Sequence, residues 1–214
     1  NGFKPVFVDI NLENLSMNIK NVLKKVNKKT LAVFITHAQG FNGLNNELLS
    51  KLKKRKIYLI EDVCESHGAK FKGKKLGSFG QISNFSFYYA HHMTTIEGGM
   101  ICTNDKKIDI LSKILRSHGM VREAKNKSFE IKESKLYKDL SPQFIFLYPT
   151  LNFRNNEIGA TIGINQLKKL DKNNKLRVKN FEFFLKNLDS KKYHTSYNTE
   201  GSCNYAFPII LKTN

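Results

Sequence analysis

The chain has 214 residues, of which 40% are hydrophobic and 11% aromatic, enough to bury the core of one ordinary domain. No apolar run approaches the roughly 18 to 20 residues of a membrane-spanning helix, and the first residues lack the pattern of a signal peptide. The three cysteines (Cys64, Cys102 and Cys203) fit neither a disulfide framework nor a four-cysteine metal site, so the composition favours a reducing cytoplasm.

The net charge of +18 raises the question of nucleic-acid binding. The cations are scattered in pairs such as Lys24-Lys25 and Lys168-Lys169, with no RNA-binding or zinc-finger motif beside them. Lysine also far outnumbers arginine, whose planar fork suits phosphate recognition better. We therefore interpret the charge as a solvated surface, and a nucleic-acid-binding module remains an alternative that rests on charge alone.

The first third of the chain alternates short apolar runs with amphipathic stretches. The patterns predict strands at 5–10, 31–35 and 57–60 and helices at 15–26 and 44–52. This order is typical of a mainly parallel sheet covered by helices, in which functional groups gather beyond the carboxyl ends of the strands. Asp62 and His37 are predicted to lie there.

Further along, the patterns predict strands at 85–89, 98–102 and 205–211, helices at 106–116, 158–170 and 176–188, and a surface excursion over 121–141. We expect residues 1–170 to form a large domain and 171–214 to begin a smaller C-terminal domain. The chain starts with Asn and stops just after an apolar run, so we expect it to be part of a longer protein.

Two runs carry residues suited to chemistry. Residues 60–80, IEDVCESHGAKFKGKKLGSFG, place Asp62 at a strand end, where it could be a metal ligand, a partner for a cationic cofactor or a helix cap. Residues 84–105, NFSFYYAHHMTTIEGGMICTND, contain Ser86, paired histidines and a Gly-Gly turn, as in a site where backbone approaches a ligand. Metal binding is disfavoured, because His91 and His92 are adjacent and would point to opposite sides of an extended chain.

With LRSHGMVRE at 115–123 and LNFRNNEIGATIGINQLKKLD at 151–171, these runs resemble the DegT/DnrJ/StrS type of sugar aminotransferases and dehydratases, which are fold-type I pyridoxal phosphate enzymes. The resemblance implies an α/β large domain with a mainly parallel seven-stranded sheet and helices on both faces, followed by the start of a small α+β domain. It also implies a homodimer with shared active sites, and we expect the N-terminal part of the large domain to lie outside this chain.

The resemblance also assigns cofactor-binding residues. Asp62 would pair with the protonated pyridine nitrogen and keep the ring an electron sink. Glu65 would lie near the ring hydroxyl, in a place that is usually Gln. Ser86 would bind the cofactor phosphate, and Asn152 would reach that phosphate from the neighbouring subunit.

Three further residues would face the substrate in this resemblance. They are His118, Arg122 and Arg154, the last near the carboxylate of the amino donor. Each assignment has a plainer interpretation, such as a strand hydroxyl for Ser86 or a surface charge for Arg154. Because all of these residues occur together and in the order found in the family, the functional interpretation is favoured over the plainer one.

One position departs from the aminotransferase pattern. Five residues after Ser86, where aminotransferases of this family carry the lysine that binds the cofactor covalently, the chain has His91. No lysine occurs from Leu76 to Asp105, although a chain with 31 lysines would place about four there by composition. The gap indicates a real replacement, so the cofactor would be held noncovalently and act as pyridoxamine phosphate.

This replacement is typical of the family's 3-dehydratases, which act on nucleotide-linked 4-keto-6-deoxy sugars in deoxysugar and O-antigen biosynthesis. His91 would be the catalytic base, because an imidazole is suited to removing a proton at neutral pH, and glutamate would be the amino donor. The absence of cysteine from Asn104 to Ser202 argues against an iron–sulfur cluster and for the cluster-free branch of colitose biosynthesis. A sugar aminotransferase and a catalytically silent relative remain alternatives. We expect no nucleic acid or membrane as a partner, and no metal.

Overall fold

The computed structural model describes residues 2–212, which form two compact units. The first unit contains the residues up to Met100 and those from Ile158 onward, and the second is Ile101–Glu157. In the first unit the elements are α1 Ile19–Lys25, β1 Ala32–Thr36, α2 Asn46–Arg55, β2 Tyr58–Asp62, β3 Lys70–Phe71, β4 Lys74–Lys75 and β5 Ile82–Ser86. Strand β6, Gly99–Cys102, runs from the first unit into the second.

The main sheet has four strands in the order β1-β2-β5-β6. Strands β1, β2 and β5 are parallel, and their register aligns Thr36 with Asp62 and Asp62 with Asn84. Strands β3 and β4 form a separate antiparallel hairpin, which the sequence patterns did not predict. The carboxyl ends of three neighbouring strands therefore meet at one edge of the sheet, as the sequence predicted.

One face of the sheet carries the core. Val33 and Ile35 of β1 and Leu59 of β2 are buried together with Leu48 and Leu52 of α2. Helix α2 begins where the Asn45 side chain accepts a hydrogen bond from the Leu48 N–H at 2.8 Å, and it ends at Lys56 in the left-handed conformation. On the opposite face Phe34 and Tyr58 stay about half exposed.

A buried carboxylate joins the strand ends. Glu61 is fully buried and accepts hydrogen bonds from the N–H groups of Gly77, Phe79 and Gly80 at 2.8, 2.8 and 2.6 Å. His37 adds a fourth, with Nε2 at 3.2 Å. Because the Gly43 N–H donates to His37 Nδ1 at 3.2 Å, the imidazole hydrogen lies on Nε2 and points at Glu61.

These contacts decide the charge of Glu61. Burial alone would raise the pKa of its carboxyl group. The hydrogen bonds from His37 and from the Gly77 and Gly80 N–H groups outweigh burial and hold the pKa below its usual value. Glu61 is therefore ionised at neutral pH.

The second unit is built on two helices, α3 Lys106–Leu115 and α4 Lys127–Leu136, with 3₁₀ turns at Val121–Ala124 and Pro142–Phe144. Backbone bridges pair Ser117 with Asn152 and Met120 with Phe146. The excursion predicted over 121–141 is exposed or half-buried from residue 125 onward, but it contains regular structure. Val121 and Ala124 are buried at its start, and the Asn126 side chain caps α4 at the Phe129 N–H, 3.0 Å away.

Two predicted strands are wrong. Residues 5–10 and 205–211 form only isolated bridges, Ile10 with Met17 and Tyr193 with Leu211. A short apolar run forms a strand only where another strand is available to pair with it, and the run itself does not reveal this. The first stretch of regular structure is instead helix α1, capped by Asn18 and shorter than the predicted 15–26.

The two helices predicted at 158–170 and 176–188 are one continuous helix, α5 Glu157–Asn187. The polar stretch Asp171–Lys175 was interpreted as a break. Asn174 instead stays helical and donates from Nδ2 to the His67 carbonyl oxygen at 2.7 Å. The predicted domain boundary near residue 170 falls inside this helix, and the division into a large and a small domain stays a prediction.

No helix within residues 2–212 is both long enough and apolar enough to cross a membrane.

Replacing Glu61 by Gln should lower the free energy of unfolding by about 3 kcal/mol, because the amide leaves several buried N–H donors without a charged acceptor. The difference from wild type should be present at neutral pH. It should shrink as the pH falls below about 4.5, where the unfolded carboxyl group becomes protonated, and vanish once the folded carboxyl group is protonated as well. Urea unfolding at pH 7 and pH 4 measures both.

The matched control is Glu47→Gln, an exposed carboxylate in the first turn of α2, which should change stability by less than about 1 kcal/mol. Equal effects of the two substitutions at pH 7 would contradict the role given to Glu61.

Candidate active site

Asp62 lies at the carboxyl end of β2 and faces away from the buried side that holds Glu61. Its Oδ1 accepts hydrogen bonds from Asn84 Nδ2 at 2.9 Å and from the Cys64 N–H at 3.1 Å. Its Oδ2 is 3.5 Å from Thr36 Oγ1, a long contact. Groups on both neighbouring strands thus orient the carboxylate, and Oδ2 is left able to accept a stronger donor.

Glu65 follows in the loop after β2, and the structure links it to the loop after β1. Its Oε2 accepts a hydrogen bond from the Gln39 N–H at 2.7 Å. Gln39 has a φ of 55°, a left-handed conformation that aims its N–H at the carboxylate. Ser66, the next residue, donates from its hydroxyl to the His37 carbonyl oxygen.

Ser86 ends β5, and its hydroxyl oxygen accepts a hydrogen bond from the Tyr88 N–H at 3.3 Å. The loop that follows is closed by backbone hydrogen bonds from the Phe87 N–H to Gly98 at 2.8 Å and from the Thr95 N–H to Phe87 at 2.9 Å. His91 and His92 lie at the tip of this loop. The third strand end of the sheet therefore presents a hydroxyl and two imidazoles.

His91 is half-buried among aromatic rings. The centroid of its ring lies 5.4 Å from that of Tyr205, 5.9 Å from that of Tyr88 and 6.1 Å from that of His67. Its Nδ1 is enclosed by protein and has no hydrogen-bond partner within residues 2–212. Nε2 does not share this enclosed and unpaired state. Packing rather than hydrogen bonding holds this imidazole.

The two neighbouring histidines are uncharged at neutral pH. Burial lowers the pKa of His67 to about 4, with a further contribution from nearby His91 that the Ser86 main chain partly offsets. Burial likewise lowers the pKa of His92 to about 4, although its Nε2 lies 3.3 Å from the Cys203 carbonyl oxygen. His92 is thus part of the buried interior, whereas His91 lies nearer the surface.

Burial and the adjacent Asp62 carboxylate raise the pKa of the Cys64 thiol to about 12, so the thiol stays protonated. Across the part of the chain that the structure describes, no three histidine, cysteine or carboxylate side chains group as a metal site would require.

The structure places Asp62, Glu65, Ser86 and His91 in the first unit, at or just beyond the ends of β2 and β5. The other four predicted site residues lie in the second unit. There Asn152 Oδ1 accepts from Arg154 Nε at 3.0 Å. Arg154 and Arg122 both approach Glu123 Oε1, at 3.6 and 3.7 Å. His118 has a φ of 58° and lines a shallow cavity of about 340 Å³.

Sequence reasoning missed the residues that orient the predicted ones. Asn84 and Thr36 flank Asp62, and only the strand register reveals this. Gln39 was not identified, because nothing in the sequence shows its left-handed backbone. Tyr205 was interpreted as the start of a strand, and its packing on His91 depends on a contact between distant parts of the chain.

The chain matches a known family, a curated protein and solved structures. The whole chain, residues 1–214, matches the DegT/DnrJ/EryC1/StrS aminotransferase family. The GDP-4-keto-6-deoxy-D-mannose 3-dehydratase of Escherichia coli O55:H7 is 35% identical over 214 residues, 99% of this chain and 54% of that protein. A solved structure of the E. coli enzyme with bound hydrated PLP superposes with a TM-score of 0.86 at 34% identity, covering 97% of this chain and 54% of the other.

A second solved structure, a substituted form of GDP-4-keto-6-deoxymannose-3-dehydratase with bound GDP-perosamine, has a TM-score of 0.85 at 34% identity, again over 97% of this chain and 54% of that one. The chain thus spans about half the length of the relatives that it matches. The likeness confirms the predicted α/β fold of fold-type I enzymes, and the chain belongs to the DegT/DnrJ/EryC1/StrS aminotransferase family.

Proposed function

We propose that this chain is part of a pyridoxal phosphate-dependent enzyme that removes the 3-hydroxyl group of a nucleotide-linked 4-keto-6-deoxy sugar. One observation carries the proposal. A half-buried imidazole, His91, lies in the loop after the third parallel strand, and no lysine occurs from Leu76 to Asp105. The loop after β5 therefore offers a base and no amine that could bind the cofactor covalently.

The residues present fit the cofactor. Asp62 Oδ2 has only a long contact to Thr36 and can accept a hydrogen bond from a protonated pyridine nitrogen. We assign Glu65 to the ring hydroxyl and Ser86 to the phosphate, as the family resemblance implies. Glu65 lies in the loop after β2, and Ser86 ends the neighbouring strand β5. Asn152 would reach the phosphate of the partner subunit's site in a homodimer. The E. coli relative with bound hydrated PLP supports the choice of cofactor.

The cofactor, in its pyridoxamine form, supplies the amine that condenses with the keto group and the ring that takes up the electrons. His91 removes the proton that this chemistry releases and holds it for transfer to the departing hydroxyl. We assign the transfer to Nε2, because Nδ1 is enclosed by protein. Asp62 holds the ring nitrogen in its protonated state.

The substrate and partners follow from the same proposal. A relative named for a GDP-linked sugar and a solved structure with bound GDP-perosamine support a nucleotide sugar as substrate. We assign the reaction to O-antigen biosynthesis in the cytoplasm. We assign His118, Arg122 and Arg154 to substrate and to glutamate, the amino donor. Arg122 and Arg154 both lie beside Glu123, so two guanidinium groups are held together on one surface. The proposal includes no metal or iron–sulfur cluster and no nucleic-acid or membrane partner.

A sugar aminotransferase of the same family is the competing function, and it would need a lysine in the site. The lysines nearest in sequence to His91 are Lys75 and Lys106, outside the loop that follows β5. We therefore favour dehydration.

Replacing Asp62 by Asn should reduce turnover by about 10²-fold or more while cofactor binding weakens much less, because the amide cannot keep the ring nitrogen protonated. Steady-state kinetics of the complete protein, with cofactor binding followed by absorbance, would measure the two effects. The control is Asp9→Asn, an exposed carboxylate at which no loss is expected. Full activity of the Asp62 variant would remove this carboxylate from the mechanism.

The decisive test concerns His91. His91→Asn should lose about 10² to 10⁴ in the rate of dehydration while still binding cofactor, since this is the usual contribution of a general base. Ammonia release with the nucleotide sugar and glutamate measures the rate. Wild-type protein should show no borohydride-reducible link to the cofactor, whereas His91→Lys should acquire one and shift towards transamination.

His92→Gln is the matched variant, because the neighbouring imidazole is the obvious alternative base. Since His92 is buried and bonded to the Cys203 carbonyl group, its loss should lower stability and spare the chemical step. A His91→Asn enzyme that kept the wild-type rate would refute the proposal.

A further inference from the structure

The imidazole of His91 lacks the usual device for orienting a catalytic histidine. In most such sites the second ring nitrogen donates a hydrogen bond that fixes the ring. Here Nδ1 has no partner among the described residues, so the orientation of the ring must come from the side chains packed on it.

We propose that Tyr205 is the positioning residue for His91, a role that rests on the proposed function of His91 as the base. Of the three rings around His91, Tyr205 is the closest, with centroids 5.4 Å apart and planes tilted by 47°. It also packs on His92, 5.8 Å away. One side chain thereby restrains both imidazoles of the loop after β5.

Tyr205 is held firmly enough for this role. Its N–H donates to the Gln39 carbonyl oxygen at 2.9 Å, and its own carbonyl oxygen accepts from Arg177 Nη1 of helix α5 at 2.9 Å. The segment before it is also fixed, because the Cys203 N–H donates to the Gly40 carbonyl oxygen at 3.0 Å. Backbone contacts therefore fix the base of the side chain on both sides.

The same anchor reaches a predicted cofactor residue. Gln39, which accepts from the Tyr205 N–H, donates its own N–H to Glu65 Oε2 at 2.7 Å. The loop after β1 thus links the Glu65 carboxylate to the ring that restrains His91. This arrangement explains why a segment far along the chain contributes to a site built on strand ends.

The test compares Tyr205→Leu with Tyr205→Phe in the complete protein. Loss of the ring should lower kcat about 10- to 100-fold, the cost of a base displaced by about an ångström, and leave the KM for the nucleotide sugar within about twofold. Phe keeps the ring and should restore kcat to within about threefold of wild type. Arg177→Met releases the Tyr205 carbonyl group and should also lower kcat. It replaces Tyr205→Leu as the test if that variant does not fold.

The matched control is Tyr197→Leu. Tyr197 lies in the same C-terminal segment, but its ring stacks on Phe41 at 5.5 Å. Its substitution should reduce thermal stability and leave kcat near wild type. An equal loss of kcat in this control would overturn the proposal, as would a raised KM with unchanged kcat, which would make Tyr205 a substrate contact.

A double variant separates this inference from the proposed function. If Tyr205 acts through His91, then His91→Asn combined with Tyr205→Leu should be no slower than His91→Asn alone. Additive losses would overturn the positioning role while leaving His91 as the base. A wild-type rate in the single His91→Asn variant would instead refute the proposed function itself.

Discussion

The site depends on the carboxylate of Glu61. Four N–H donors converge on it, three from the turn at residues 77–80 and one from His37, so it joins the end of β2 to the loop after β1 and to the turn that leads into β5. A charge this deeply buried is tolerable only when its hydrogen-bonding capacity is filled. Once it is filled, the end of β2, the loop after β1 and the turn before β5 are fixed relative to one another.

Neighbouring residues on β2 then have different roles. Side chains alternate across a strand, so Glu61 faces the core while Asp62 faces the opposite side. The loop after β5 repeats this division, with His92 bonded to the interior and His91 left nearer the surface. In both pairs the buried member organises the backbone and its neighbour is available for chemistry. The pairing explains how polar groups can be placed accurately at the edge of an apolar core.

Much of this architecture could be predicted from the sequence. The apolar runs at 31–35 and 57–60 predicted β1 and β2, and they placed His37 and Asp62 beyond the carboxyl ends of parallel strands. Strand β5, Ile82–Ser86, begins and ends three residues before the predicted 85–89, and Ser86 and His91 were assigned by the family resemblance. What could not be predicted depends on contacts between distant segments. The polar stretch around Asn174 was interpreted as a helix break, because its bond to the His67 carbonyl group is invisible in a local pattern. Tyr205 and Gln39 were missed for the same reason.

The close approach of Gly40 to Asn204 bears on the order in which the molecule is assembled. A Cβ atom at Gly40 would lie 2.6 Å from the Asn204 nitrogen, so the two backbones are in direct contact. Bringing Gly40 and Asn204 together closes a long loop of the chain and costs conformational entropy. Structure formed earlier, namely the sheet and helix α5, must offset this cost. We therefore expect the enclosure around His91 to be completed late in folding, after the scaffold that carries it is in place.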